Sequence, residues 1–207
     1  MKNFMLMTMA LLFLTVNVFG QGSLEAVNLG LPSGTLWANM NVGASKPEGY
    51  GCYYAWGETE EKDVYNWSTY IHCDGSKETC HDLGSDIAGT KYDVAHVMWG
   101  GNWVMPTKAQ QDELKNKCTY EWTMVNGVYG GKFTGPNGNS IFLPAAGGRW
   151  SGSFYNRGTV GGYWSSTQYP DGSYAAYYFG FSSGYLVWYH DDNYRYYGRS
   201  VRPVVRK

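Results

Sequence analysis

Two alternating aromatic runs near the C-terminus constrain this chain more than any other feature. Ala176–Ser182 and Tyr185–Tyr189 are strand-length, rich in Tyr, Phe and Trp, and separated by Ser183 and Gly184. Such runs fold as the arms of a β-hairpin, here with its turn at Ser182-Ser183-Gly184. Alternation places Tyr177, Phe179 and Phe181 on one face and Tyr178, Gly180 and Ser182 on the other; in the second arm Leu186 and Trp188 oppose Tyr185, Val187 and Tyr189. The large apolar groups define a core face. The opposite face and the segment His190–Gly198 carry Tyr, Asp, Asn, His, Ser and Gly, the composition of a recognition surface.

The rest of the composition narrows the class. Charged residues make up 16% and aromatics 17% of 207 residues, with 19 Tyr, 9 Trp and 28 Gly. Disordered chains show the reverse balance. A formal net charge of −1 and the lack of a Lys/Arg run remove the electrostatic footprint of a nucleic-acid binder. This length suits one domain plus a targeting segment.

Residues 1–20 read as that segment: Lys2 precedes a nearly continuous apolar run from Phe4 to Val18, and small residues lead to a cleavage point between Gly20 and Gln21. The run is short for a membrane span, so the mature chain is expected to have no stable span and to be secreted or displayed at the cell surface. Residues 21–207 are read as a single domain. In an oxidising compartment the four cysteines favour disulfides. Cys73 and Cys80 would close a small loop, leaving Cys52 with Cys118 by elimination. His72-Cys73 and Cys80-His81 would also supply a Cys₂His₂ set, but the six-residue gap is wider than zinc thiolate pairs use, and no metal or other cofactor is expected.

Along the chain, strands are expected at Ala26–Leu29 and Thr35–Ala38, and residues 44–92 read as mostly irregular. A helix is clear at Lys108–Cys118, capped by Thr107, and a shorter one is expected at Asp93–Met98. From Thr123 short strands follow, at Val128–Tyr129, Gly131–Thr134, Ser140–Pro144, Gly162–Ser166 and Ser200–Val204. Trp99, Trp103, Trp122 and Trp164 are read as core aromatics, Arg202 as a residue held inside the fold, and Arg195 as a ligand contact.

The segments Asn28–Ala38, Asn41–Ser45, Tyr54–Thr59, Ala95–Thr107, Gly135–Gly147, Tyr163–Ser166 and Gly198–Val204 together resemble the Fibrobacter succinogenes major paralogous domain, a family frequent in exported proteins of Bacteroides-type bacteria. The resemblance implies an α+β, C-type lectin-like fold in the variant shared with formylglycine-generating enzymes: short strands, one clear helix plus one short helix, and much irregular loop. The same variant occurs in the variable proteins of diversity-generating retroelements, whose C-terminal part is mutated at Asn codons to Tyr, Asp, His, Ser and Gly. By that resemblance a ligand-binding face is expected within about residues 165–200, formed by Tyr174, Tyr178, Ser182, Tyr185, Tyr189, His190, Asp191, Asp192, Asn193, Tyr194, Arg195 and Tyr197. Relatives carry Cys near Trp37–Met40, where this chain has none; a Cys52–Cys118 bridge therefore requires those two to be spatial neighbours.

Enzymatic readings are weak. Formylglycine-generating relatives use a late redox cysteine, and no Cys follows Cys118. The acidic run Glu58, Glu60, Glu61, Asp63 lacks calcium-loop spacing, and the Glu-Pro-Asn and Trp-Asn-Asp tripeptides of calcium-dependent lectins are absent. The expectation is a non-enzymatic adhesion module that binds a protein or glycan on another cell or phage surface; the alternative is a non-catalytic structural component of the cell surface or matrix.

Overall fold

The computed structural model describes residues 23–189 and 193–206, with residues 187–189 described in backbone only. The segment read as a signal peptide lies outside this range. Among the described residues no helix is long and apolar enough to cross a membrane.

Strands dominate, and two helices accompany them. In chain order these are β1 (Ala26–Asn28), β2 (Leu36–Ala38), α1 (Val94–Trp99), β3 (Trp103–Val104), α2 (Lys108–Lys117), β4 (Thr119–Val125), β5 (Val128–Thr134), β6 (Ser140–Pro144), β7 (Gly148–Trp150), β8 (Ser153–Tyr155), β9 (Val160–Gln168), β10 (Ala176–Ser182), β11 (Tyr185–Tyr189) and β12 (Val204–Val205). They form sheets of order β1-β2-β12-β3, β11-β10-β9, β4-β5-β6 and β7-β8.

The aromatic hairpin forms as expected, with Ser182 opposite Tyr185 and Phe181 opposite Leu186. Its faces need correction. β10 is the central strand of its sheet, and β9 covers its other edge through a register shift between Ala176 and Tyr178. That bulge displaces Tyr177, whose ring packs edge-on to Tyr169, 5.3 Å away, and lies under the Lys108 ammonium. Phe179 and Phe181 enter one core with Trp37, Leu114 and Phe133; Ala176 and Tyr178 enter a second with Trp56, Val94 and Trp164. Two apolar clusters cover most of this central strand, so Tyr178 and Ser182 are each only 8% exposed.

Both predicted helices are present. Thr107 and Gln110 form a capping box at α2, whose buried Gln111 donates to the carbonyls of Tyr163 (3.3 Å) and Trp164 (3.0 Å), docking the helix on β9. At α1 the buried Asp93 accepts from the N–H groups of Ala95 and His96 through Oδ1 and of Gly89 and Met105 through Oδ2. Burial pushes its carboxyl pKa up, opposed by those four donors.

Between Ala38 and Val94 no named strand or α-helix forms, in line with the irregular reading. Aromatic polar tips hold this region instead: Tyr65 Oη donates to the Tyr53 carbonyl (2.6 Å), Tyr70 Oη to that of Trp56 (2.7 Å), and Trp56 Nε1 to that of Ser165 (2.8 Å). The Cys73–Cys80 disulfide closes the expected loop. The Cys52–Cys118 bridge does not form: both thiols are free, Cys52 packed against the second core and Cys118 against the first, and burial raises both thiol pKa values, that of Cys118 to about 11.

Candidate functional site

Beyond Tyr178 the second face of β10 opens into a pocket of about 250 Å³. Its floor is Tyr178, Val160 and Arg199; its walls are Gly147–Trp150, Tyr155, Asn156, Tyr185, Tyr197 and Gly198. Backbone pairing fixes these pieces relative to one another. Arg149 and Gly198 exchange N–H···O bonds of 2.7 and 3.0 Å, Tyr54 and Arg199 exchange two of 3.0 Å, and Gly147 donates to the Val160 carbonyl (2.7 Å). The β7–β8 hairpin is thereby held beside the C-terminal segment and the end of β9. Its two-residue turn at Ser151 and Gly152 lets Trp150 stand opposite Ser153 and brings Trp150 within 5.6 Å of Tyr155.

Three ring side chains on this pocket keep much of their surface in water: Trp150 (47% exposed), Tyr155 (43%) and Tyr185 (39%). Trp150 also meets Tyr197 edge-on at 6.3 Å. Exposed aromatics gathered around one concavity are the usual make-up of a recognition site, whereas singly scattered ones carry no such meaning.

Arg199 lies beneath them. Its guanidinium carbon is 3.5 Å from the centre of the Tyr178 ring, 5.2 Å from that of Trp164 and 5.7 Å from that of Tyr197. Nη1 fills space left by two glycines: a Cβ added at Gly162 would come within 2.8 Å of it, and one at Gly148 within 3.8 Å. Nε is sealed from solvent and has no hydrogen-bond partner. Burial pulls the Arg199 pKa down, opposed by Tyr178 and Tyr197; burial raises that of Tyr178, opposed by Arg199. Arg149, on the same rim, is otherwise engaged: Nη1 and Nη2 donate to the carbonyls of Lys62 and Asp63, each at 3.0 Å.

Of the residues expected to form the ligand face, the fold brings Tyr178, Tyr185 and Tyr197 to this pocket. Others are corrected to structural roles. Ser182 is a turn residue, its carbonyl accepting from Tyr120 Oη (2.5 Å) and its Oγ from Gly184 N (3.3 Å). Asn193 is buried and its carbonyl accepts from Ala176 N (3.3 Å). Arg195 is fully buried: Nε donates to Tyr70 Oη (2.7 Å), Nη1 to the carbonyls of His81 and Ser173, and the guanidinium stacks over Trp56 at 4.7 Å. Tyr174 and Tyr194 are half-buried and away from the pocket, Tyr194 joining Trp67 and Tyr196 in a third aromatic cluster. His190, Asp191, Asp192 and the Tyr189 side chain lie outside the described residues.

Trp150, Tyr155, Asn156 and Arg199 were missed by sequence reasoning. A signal for the first two exists in Arg149–Tyr155, where aromatics flank a Ser-Gly turn, a hairpin pattern too short for alternation to stand out. Nothing local marks Arg199. Among the described residues no group of three His, Cys, Asp or Glu side chains is gathered as a metal site requires. The groups that converge here can stack on a ring, donate and accept hydrogen bonds through phenol and amide groups, and present a guanidinium. No family model, curated protein or solved structure matches the chain.

Proposed function

We propose that this chain is an exported, non-catalytic recognition module of C-type lectin-like fold. Its pocket at Trp150, Tyr155, Tyr178, Tyr185, Tyr197 and Arg199 binds a protein or glycan on another cell or phage surface. The observation that carries this reading is the convergence of three solvent-exposed rings on one pocket whose floor is a stacked Tyr–Arg pair. Tyr and Trp present large contact area at low conformational cost, and their hydroxyl or indole N–H gives direction to the contact. The narrower reading, a diversified variable protein, rests on Tyr185 and Tyr197 at the pocket together with the His190–Asp192 segment. A reverse transcriptase gene and a near-copy of the 3′ end with Asn codons at these positions in the flanking DNA support it; flanking DNA without them removes it.

The direct test is binding by the purified mature chain on arrays of glycans and surface proteins. Saturable binding that disappears in the Trp150→Ala/Tyr155→Ala/Tyr185→Ala variant, with an unchanged melting temperature, is the expected result. Concentration-dependent self-assembly without saturable binding would instead identify a structural component of the cell surface.

A further inference from the structure

Resting on that recognition reading, we propose that Arg199 is an anion subsite and that the pocket takes a carboxylate-bearing sugar ring of the hexuronate class. Arg199 is a cation with no carboxylate partner among the described residues. The ion pairs among the described residues use Lys46, Lys62, Lys77, His81 and Lys108, and none uses an arginine. Arg202, three positions further on, shows how this fold neutralises a buried guanidinium that has no outside role: Nε, Nη1 and Nη2 donate to Asn41 Oδ1 (2.8 Å), the Ala38 carbonyl (3.1 Å) and the Phe142 carbonyl (3.0 Å). Arg199 has no comparable set. Its neighbours are ring faces and the Tyr178 phenol, with which it shares a side-chain hydrogen bond, and its sealed Nε lacks an acceptor. A guanidinium that lines a pocket, with ring faces and one phenol for neighbours and no carboxylate partner among the described residues, points to an anion that arrives from outside.

The surroundings select the kind of anion. Gly148 and Gly162 leave the space in which Nη1 sits, and stacking on Tyr178 holds the guanidinium plane fixed, the preorganisation that fork-to-carboxylate pairing exploits. Arg149, also on the lining, spends its terminal nitrogens on backbone carbonyls, which leaves the forked contact to Arg199. A single fork of N–H donors matches the two oxygens of a carboxylate. Size and walls select the rest of the ligand. About 250 Å³ lies below the roughly 300–1,000 Å³ of drug-sized sites, room for a single ring. Trp150 and Tyr155 offer faces to the C–H side of a sugar, and Asn156 and the tyrosine hydroxyls offer partners to its hydroxyl groups.

The test is a calorimetric or NMR titration of the full mature chain with methyl glucuronoside, its methyl ester, methyl glucoside, sodium acetate, an N-acetyl dipeptide with a free C-terminus, and inorganic phosphate. Methyl glucuronoside is expected to saturate the pocket, with the ester and the glucoside at least about tenfold weaker, and acetate, dipeptide and phosphate weaker still. Raising the salt from about 0.05 to 0.5 M should narrow that preference, because a partly exposed charge pair is screened. Arg199→Gln should bring the glucuronoside down to the level of its ester, and Trp150→Ala should remove both. Equal affinity for glucuronoside and glucoside, a dipeptide or phosphate that binds as tightly, or an Arg199→Gln chain with wild-type selectivity would overturn the proposal. If that variant fails to fold, the acid–ester pair on the wild-type chain still decides. Neutral glycans or proteins bound through Trp150 would defeat the charge inference alone; saturable binding of nothing at all would defeat the recognition reading as well.

Discussion

The two faces of β10 are built from similar residues and do opposite things. On one, Phe179 and Phe181 meet Phe133 and Tyr163, and the fit is so close that a Cβ added at Gly161 would lie 2.1 Å from the Phe181 ring. On the other, Tyr178 is covered by the Arg199 guanidinium, beyond which lies a concavity whose rim rings are nearly half exposed. Volume matching makes the first face a frame; incomplete cover leaves a pocket at the second. The same contrast separates Arg202, saturated with carbonyl and amide acceptors, from Arg199, stacked on rings.

Substitutions can break or sharpen this contrast. The largest effect is expected on the sealed face: Phe181→Ala should cost about 3–5 kcal/mol in denaturant unfolding, through lost transfer energy and a cavity that Gly131 and Gly161 cannot fill. A loss below about 1 kcal/mol would show that the first face is as loosely filled as the second. Next come the arginines. Arg202→Ala strands three buried acceptors and should cost about 3 kcal/mol, whereas Arg199→Gln, which removes a charge that has no carboxylate partner among the described residues, should stay within about 1 kcal/mol; equal losses would erase the distinction. Reducing Cys73–Cys80 should cost about 2 kcal/mol, seen as a lower melting temperature in reductant, since the bond closes a short loop whose flanking residues Tyr70 and His81 support Arg195. Replacing Trp150, Tyr155 and Tyr185 together by Ala should change stability least, by about 1 kcal/mol or less, while abolishing ligand binding. A larger drop would place those rings in the frame.

The elements were legible where local chemistry decides them. Thr107 and Gln110 announce α2, Asp93 announces α1, and the alternation of Ala176–Ser182 with a two-residue spacer announces the hairpin. The close spacing of Cys73 and Cys80 was enough for their bridge, while elimination failed for Cys52 and Cys118, which settle against different clusters. For the pocket, alternation put Tyr178 and Ser182 on one face but did not foresee their burial, because a period of two tells which residues share a face and not whether another layer covers it. Arg195 and Asn193 were misread for a related reason: the polar segment after the hairpin runs inward, where Trp56 and Tyr70 supply a stacking face and a hydroxyl from more than a hundred residues earlier.

By itself, then, the order of residues determined the strands, the caps, the short disulfide loop and the reliance on aromatic and small polar groups, all of which depend on neighbours within a few positions. Only the tertiary structure decided which rings remain exposed and which guanidinium stacks at the pocket. Those properties depend on the approach of Gly148, Gly162 and Arg199 from three separate stretches of chain, and burial is set by what comes to lie on top of a residue, a fact that no local pattern encodes.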